Sequence, residues 1–410
     1  MRKLPILALG LGLASSSALL EAEAHAADHV FIVMRDEDGA FAKKGTSPGG
    51  MTVRTLQRYA TTGLPLPDVF SVWTTFPMNG SPYGTYIDPR ANDVTGINLP
   101  TGPIAAPRSL LYHNDVTQLA KRAALQKAPI EGFASYLFLL ELMHNWGPEI
   151  LLPAPGASDL IGFDYHWSFF LDGASPAGGN TWKDNGDGTF TVVPRAPKDV
   201  AYTPIDLYLM GLADESEVPP FFVLTNVTAP ATPTDPLWGG PFAGHSFPWF
   251  DTQDPPLTVT AQKRTVTIDD VIAANGVRTP AAGTQTSYKL GIILVVGQDE
   301  TDADVAAHEA LFDPIANDLA PAFARATGQR GSLEIVTHAS DPGAGGGGGA
   351  GGGGTGGAGA GGEGASPKPS SSTSGACAVS TTGDAPVPLL ATLAALAAIG
   401  RLRRSGRSVG

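Results

Sequence analysis

From Asp341 the chain runs "DPGAGGGGGAGGGGTGGAGAGGEGASPKPSSSTSG", and this stretch bounds everything else. Glycine has no side chain to bury, and serine and proline add little. No core can be built from such residues, so the segment reads as a flexible linker with a stiffer Pro/Ser end. It divides the 410 residues into a body before it and a short tail after it. The opposite end is also set apart. "MRKLPILALGLGLASSSALLEAEAHAAD" places Arg2 and Lys3 ahead of an apolar run, with small residues at Ala24 and Ala26. That is the pattern of a secretory signal peptide cleaved after A-H-A. The apolar run is shorter than the roughly 20 residues a spanning helix needs, which disfavours an uncleaved anchor. The expected division is 1–26 signal peptide, 27–340 body, 341–374 linker and 375–410 terminal segment.

Cys377 is the only cysteine and lies in the tail. The body is therefore expected to hold together without disulfides, through core burial or a bound metal. The net charge of the chain is −13. Arg2, Lys3, Arg401, Arg403, Arg404 and Arg407 lie in the two ends, so the body is more acidic still. That balance argues against nucleic acid and against anionic membrane as partners, and suits a soluble extracellular protein.

Along the body, apolar and β-branched runs predict strands at "HVFIVM", "PDVFSVWTTF" and "YKLGIILVVG", with a short one at "DVTGIN". A short helix is expected over "GGMTVRTLQRYATTG", closed by Gly63. Residues 85–115 read as loop-rich, and 148–200 as irregular apart from a hairpin at "WKDNGDGTFTVV". The Asp spacing in that hairpin does not match a calcium loop, so a plain turn is expected. "TPIDLYLMGL" predicts a short helix, and "LTVTAQKRTVTIDDVIAANG" two short strands and a capped helix with Asp269 near its start. "TDADVAAHEALFDPIANDLAPAFARATG" predicts a long helix interrupted at Pro314 and Pro321. The fold class is α+β without regular βαβ alternation.

The strongest helix is "APIEGFASYLFLLELMHNWGP", opening near Pro129 and stopped by Gly147 and Pro148. From Ser135 to Met143 every residue is apolar or aromatic except Ser135 and Glu141. Glutamate is almost never fully buried without a partner, so Glu141 should face a cleft or be paired. Leu140 and His144 are four apart and share a face, with Glu141 beside them. A zinc peptidase helix reads H-E-x-x-H; here Glu and the second His are present, and Leu140 stands in the first His position. Taken by itself, the E-x-x-H is short enough to belong to an ordinary core helix.

Other segments add to it. "ELMHNWG" is followed by "FDYHWSFF" at Phe163 to Phe170 and by "YTPIDLYLMGL" at Tyr202 to Leu212. "FSVWTTF", "VTIDDVIAANGVRTP" and "AFARATGQRGSLEI" lie around these. Together they resemble a group of secreted bacterial zinc-metallopeptidase-like (zincin) proteins over most of residues 65–336. The resemblance implies a zincin-like mixed sheet with an active-site helix and a C-terminal α/β part. It implies Glu141 as general base, His144 as a zinc ligand and His166 as the candidate third ligand, with a peptide or protein as substrate or ligand. Gly147 fits the glycine of a metzincin helix, but the next metzincin ligand would fall on Ile150, so the strict metzincin pattern does not hold. Met210 is placed where a Met-turn would be, although the residues favour a core methionine.

Leu140 has no lone pair to give a metal. One ligand is worth about 3 kcal/mol, a hundredfold in affinity, if a structural zinc site's binding energy is shared among four. His144 and His166 alone would hold zinc weakly or not at all, unless Asp164, Asp206 or His113 substitutes. His245 lies in a Pro/Gly loop, His338 next to the linker, and "AHEALF" at Ala307 to Phe312 reads as helix surface. Three readings stay open: an impaired peptidase, an active one with a substituted ligand, and a non-catalytic peptide- or surface-binding protein. After the linker, "ACAVS", the apolar "APVPLLATLAALAAIG" and "RLRRSGRSVG" resemble the MYXO-CTERM type of C-terminal sorting domain. That resemblance implies export with processing at Cys377, and a cell-surface, outer-membrane or extracellular destination. Without it the segment reads as a short tail anchor; either way the membrane is met only there.

Overall fold

A computed structural model of the chain describes residues 29–43, 48–78, 85–89, 92–102, 107–125, 127–162, 166–228 and 256–337. All fall in the first of two units, Met1–Gly345. The signal-peptide, linker and terminal-segment assignments lie outside these residues, as do Asp164, His245, His338 and Cys377.

The body is built from a mixed sheet with helices on both faces and a small closed barrel. The strands of the sheet are β1 (Ile32–Arg35), β2 (Val69–Thr74), β3 (Thr85–Pro89), β4 (Ser109–His113), β10 (Ser287–Val296) and β11 (Ser332–Ile335). The barrel strands are β5 (Trp167–Asp172), β6 (Gly178–Asp184), β7 (Thr189–Val193), β8 (Phe221–Thr228) and β9 (Thr258–Val266). The helices are α1 (Pro48–Ala60), α2 (Val116–Leu125), α3 (Ile130–Met143), α4 (Pro204–Met210), α5 (Ile268–Asn275) and α6 (Asp302–Ala326). The architecture is α+β, and among the described residues no helix is long and apolar enough to cross a membrane.

In the sheet the order is β1-β10-β2-β4-β3, all parallel except β3, which runs antiparallel to β4 at one edge. β10 is the centre. β2 pairs along one side of it, while β11 and β1 share the other, β11 beside Ser287–Leu290 and β1 beside Ile293–Val296. Parallel strands are covered on both faces, so they read as continuous apolar runs. Phe70, Val72, Ile293 and Val295 pack with Met51 and Tyr59 of α1 on one face. Val69, Trp73, Leu111, Ile292 and Leu294 pack with α3 and α6 on the other.

Several expectations need correction. "DVTGIN" is not a strand; Thr95 makes only an isolated bridge to Thr279. Residues 85–115 hold β3 and β4, two strands short enough to hide between proline- and glycine-rich stretches. The stretch 148–200 carries three barrel strands, not one hairpin alone, although β6 and β7 do pair as the expected hairpin. Asp184 and Asp187 in its turn accept from the amides of Gly186 and Thr189, as in a plain turn. The two strands expected near "LTVTAQKRTV" are one, β9, whose polar middle is exposed on the barrel. α6 runs unbroken through Pro314 and Pro321. Both prolines are exposed, as are Ala310 and Asn317, whose carbonyls lose their intrahelical donors and meet water instead.

Candidate functional site

α3 lies buried along the sheet, with every residue from Gly132 to Met143 covered. A fully apolar helix of this kind is a core helix, which explains why Leu140, 2 % exposed, belongs to the main apolar cluster. Glu141 is the exception its sequence promised. It is 4 % exposed and its carboxylate accepts a hydrogen bond from the hydroxyl of Thr85 on β3. Thr85 reaches it because of pleating. In the β3–β4 register Thr85 pairs with His113 and Tyr86 with Tyr112. Alternation then turns Thr85 and His113 toward α3, while the rings of Tyr86 and Tyr112 stack on the opposite face, 4.9 Å apart.

His144 is the residue that ends the helix, still right-handed at φ −60 and ψ −11. His166 arrives from elsewhere, immediately before β5. Its neighbour Trp167 is fully buried and donates its indole N–H to Asp206 at 2.7 Å. Asp206 is itself fixed in a capping box with Thr203 at the start of α4. Burial pushes the Asp206 carboxyl upward in pKa, against the donors from Thr203 and Trp167. The same segment reaches α3 directly, Tyr202 donating its hydroxyl proton to the Leu139 carbonyl at 2.7 Å. Thus "HW" and "YTPIDLY" act as one brace that sets His166 against the end of α3.

The two rings meet edge to face with centroids 4.9 Å apart and planes at 79°. Nδ1 of His144 is covered and has no hydrogen-bond partner. Burial depresses the His144 pKa to about 3, His166 adds to this and the Gly147 backbone opposes it, so the imidazole is neutral at ordinary pH. Glu141, His144 and His166 line one cavity of about 440 Å³, with Thr85, Tyr86, Ile87 and Pro89 of edge strand β3 along one wall. Leu99, Pro100, Gly147 and Glu149 complete it.

Other candidates fall away from this cavity. His113 is 1 % exposed, stacked on Trp73 at 4.0 Å, with neither ring nitrogen hydrogen-bonded. Asp206 is committed to Trp167 and Thr203. Met210 is a core residue; at Gly147 the α4 neighbour is Leu209, 3.3 Å from where a Cβ would stand. The "YLMGL" and "VRTP" motifs meet structurally: the Arg278 guanidinium lies over Gly211 so closely that a Cβ there would be 2.5 Å from Nη2. Among the described residues no group of three His, Cys, Asp or Glu side chains is placed to hold one metal ion. Sequence reasoning missed Thr85, hidden in a segment read as loop, and Glu149, which no pattern marks. A larger open hollow of about 630 Å³ on the barrel, lined by Phe170, Leu224 and Arg264, is remote from these residues in composition, and its arginine is bound to Asp159.

Comparison with protein-family models, with curated proteins and with solved structures gives no match.

Proposed function

We propose that this is an exported, surface-sorted protein with a zincin-like body, whose cavity receives an extended peptide and whose peptidase chemistry is impaired. The observation that carries the reading is the convergence of Glu141 and His144, from one helix, with His166, from a separate element 22 residues on, at a single cavity. The wall of that cavity is an edge strand, where an extended chain can add by main-chain hydrogen bonds. Glu141, held by Thr85, is a carboxylate placed to accept a proton from a group bound in the cavity.

Zinc fits the donor set only in part. Converging imidazoles at His144 and His166 suit two of its bonds, and the covered, unbonded Nδ1 of His144 suits a site made to be filled. Among the described residues the third protein ligand of a catalytic site is lacking: position 140 is an apolar core residue, and His113 and Asp206 are engaged elsewhere. The test is Leu140→His, which puts an imidazole one turn before His144. Zinc affinity by chelator competition should rise by about a hundredfold, the worth of one ligand. The double variant Leu140→His/His144→Ala should lose that gain. If the single variant binds zinc no better than the parent, α3 is a core helix whose likeness to a zinc site is accidental.

A further inference from the structure

Among the described residues that line the cavity, the formally charged side chains are Glu141 and Glu149, and none is Lys or Arg. Glu141 is engaged by Thr85, whereas the Glu149 carboxylate has no ion pair or hydrogen bond among the described residues. Glu149 is also not a loose surface group. Its carbonyl accepts from Asn98 at 2.8 Å, which ties it to the loop carrying Leu99 and Pro100. Two residues on, Leu151 is clamped by Asn275, which accepts from its N–H at 3.0 Å and donates to its carbonyl at 2.9 Å. Burial pushes the Glu149 carboxyl upward in pKa, the cost of a carboxylate partly removed from water without a counter-charge.

We propose that Glu149 is a specificity-determining residue that receives the cationic side chain, a lysine ammonium or arginine guanidinium, of a peptide held in this cavity. The neighbouring walls fit that occupant. Leu99, Pro100 and Pro89 offer apolar surface for the methylene stem, while the head meets the carboxylate. The acidic balance of the chain, −13 overall, draws cationic peptides toward it. The proposal rests on the reading of the cavity as a peptide site, and does not depend on zinc.

The experiment uses the full chain and pentapeptides of alanine, blocked at both ends, carrying lysine, norleucine or glutamate at each position in turn. Affinities are measured by isothermal titration for wild type, Glu149→Gln and Glu149→Lys. At the best position wild type should prefer lysine over norleucine by about fivefold, the scale of one partly buried ion pair. The preference should shrink in 1 M salt, a wild-type result that stands even if a variant folds poorly. Glu149→Gln should bring lysine and norleucine within twofold, and Glu149→Lys should favour glutamate. A wild type without charge preference, a preference that survives Glu149→Gln, or no binding of any peptide at millimolar concentration would overturn the proposal. Zinc content of the same preparations separates the two ideas. A lysine preference without zinc binding sinks the metal reading alone, and zinc binding without the preference sinks the role of Glu149 alone.

Discussion

At the scale of single residues, His113 shows how a histidine can be placed by packing alone. It is buried against Trp73, makes no hydrogen bond through either ring nitrogen, and burial pushes its pKa down to about 3. An unfolded histidine titrates near 6.5, so below that pH the unfolded chain takes up a proton that the folded chain refuses. The sign follows: the folded-state pKa is lowered, so stability is lost as pH falls from about 6.5 toward 3, by up to about 1.4 kcal/mol per pH unit for one such group. His113→Phe keeps a ring on Trp73 and removes two unsatisfied polar atoms. It should leave stability at pH 7 unchanged or higher, and lose less between pH 7 and pH 4.5 by urea denaturation. An equal or steeper loss in the variant would show that His113 finds partners in solution. His144, also near 3, should leave a residual slope.

At the scale of elements, α6 carries two prolines and stays whole because both sit on its solvent face. Pro314→Ala restores a backbone donor to the Ala310 carbonyl and removes the ring clash. It should stabilise the protein by about 1–3 kcal/mol, read as a higher urea midpoint with unchanged slope. A loss of stability would mean that the proline is needed for packing α6 on α3. The proline positions were legible in the sequence, but their exposure was not, and exposed prolines left the helix unbroken. The same limit explains the other misses. β4, "SLLYH", is buried throughout and shows no alternation, and β3, "TYIDP", ends in a proline that an edge strand tolerates. The barrel closes β7 onto β9, far apart in sequence, and no local pattern announces that pairing. Glu141 and His144 stood out because a polar residue in an apolar helix needs a reason. Thr85 and Glu149 did not, because a threonine on a short strand and a glutamate after a proline are ordinary until the fold brings them to a cavity.

At the scale of the whole molecule, β10 receives both the first and the last described strands, so the body closes on itself before the glycine tract begins. The proposed sorting segment lies beyond that tract. Cys377→Ala should leave a longer, membrane-retained form, visible by fractionation and immunoblot; unchanged size and location would count against sorting at that cysteine. The cavity is tested by one measurement: zinc affinity of the purified chain by chelator competition, with His144→Ala and His166→Ala beside it. Two imidazoles without a third protein ligand predict one weakly held zinc, lost in either variant. Stoichiometric tight binding would show that another residue completes the site. Zinc binding indifferent to both histidines would contradict the account.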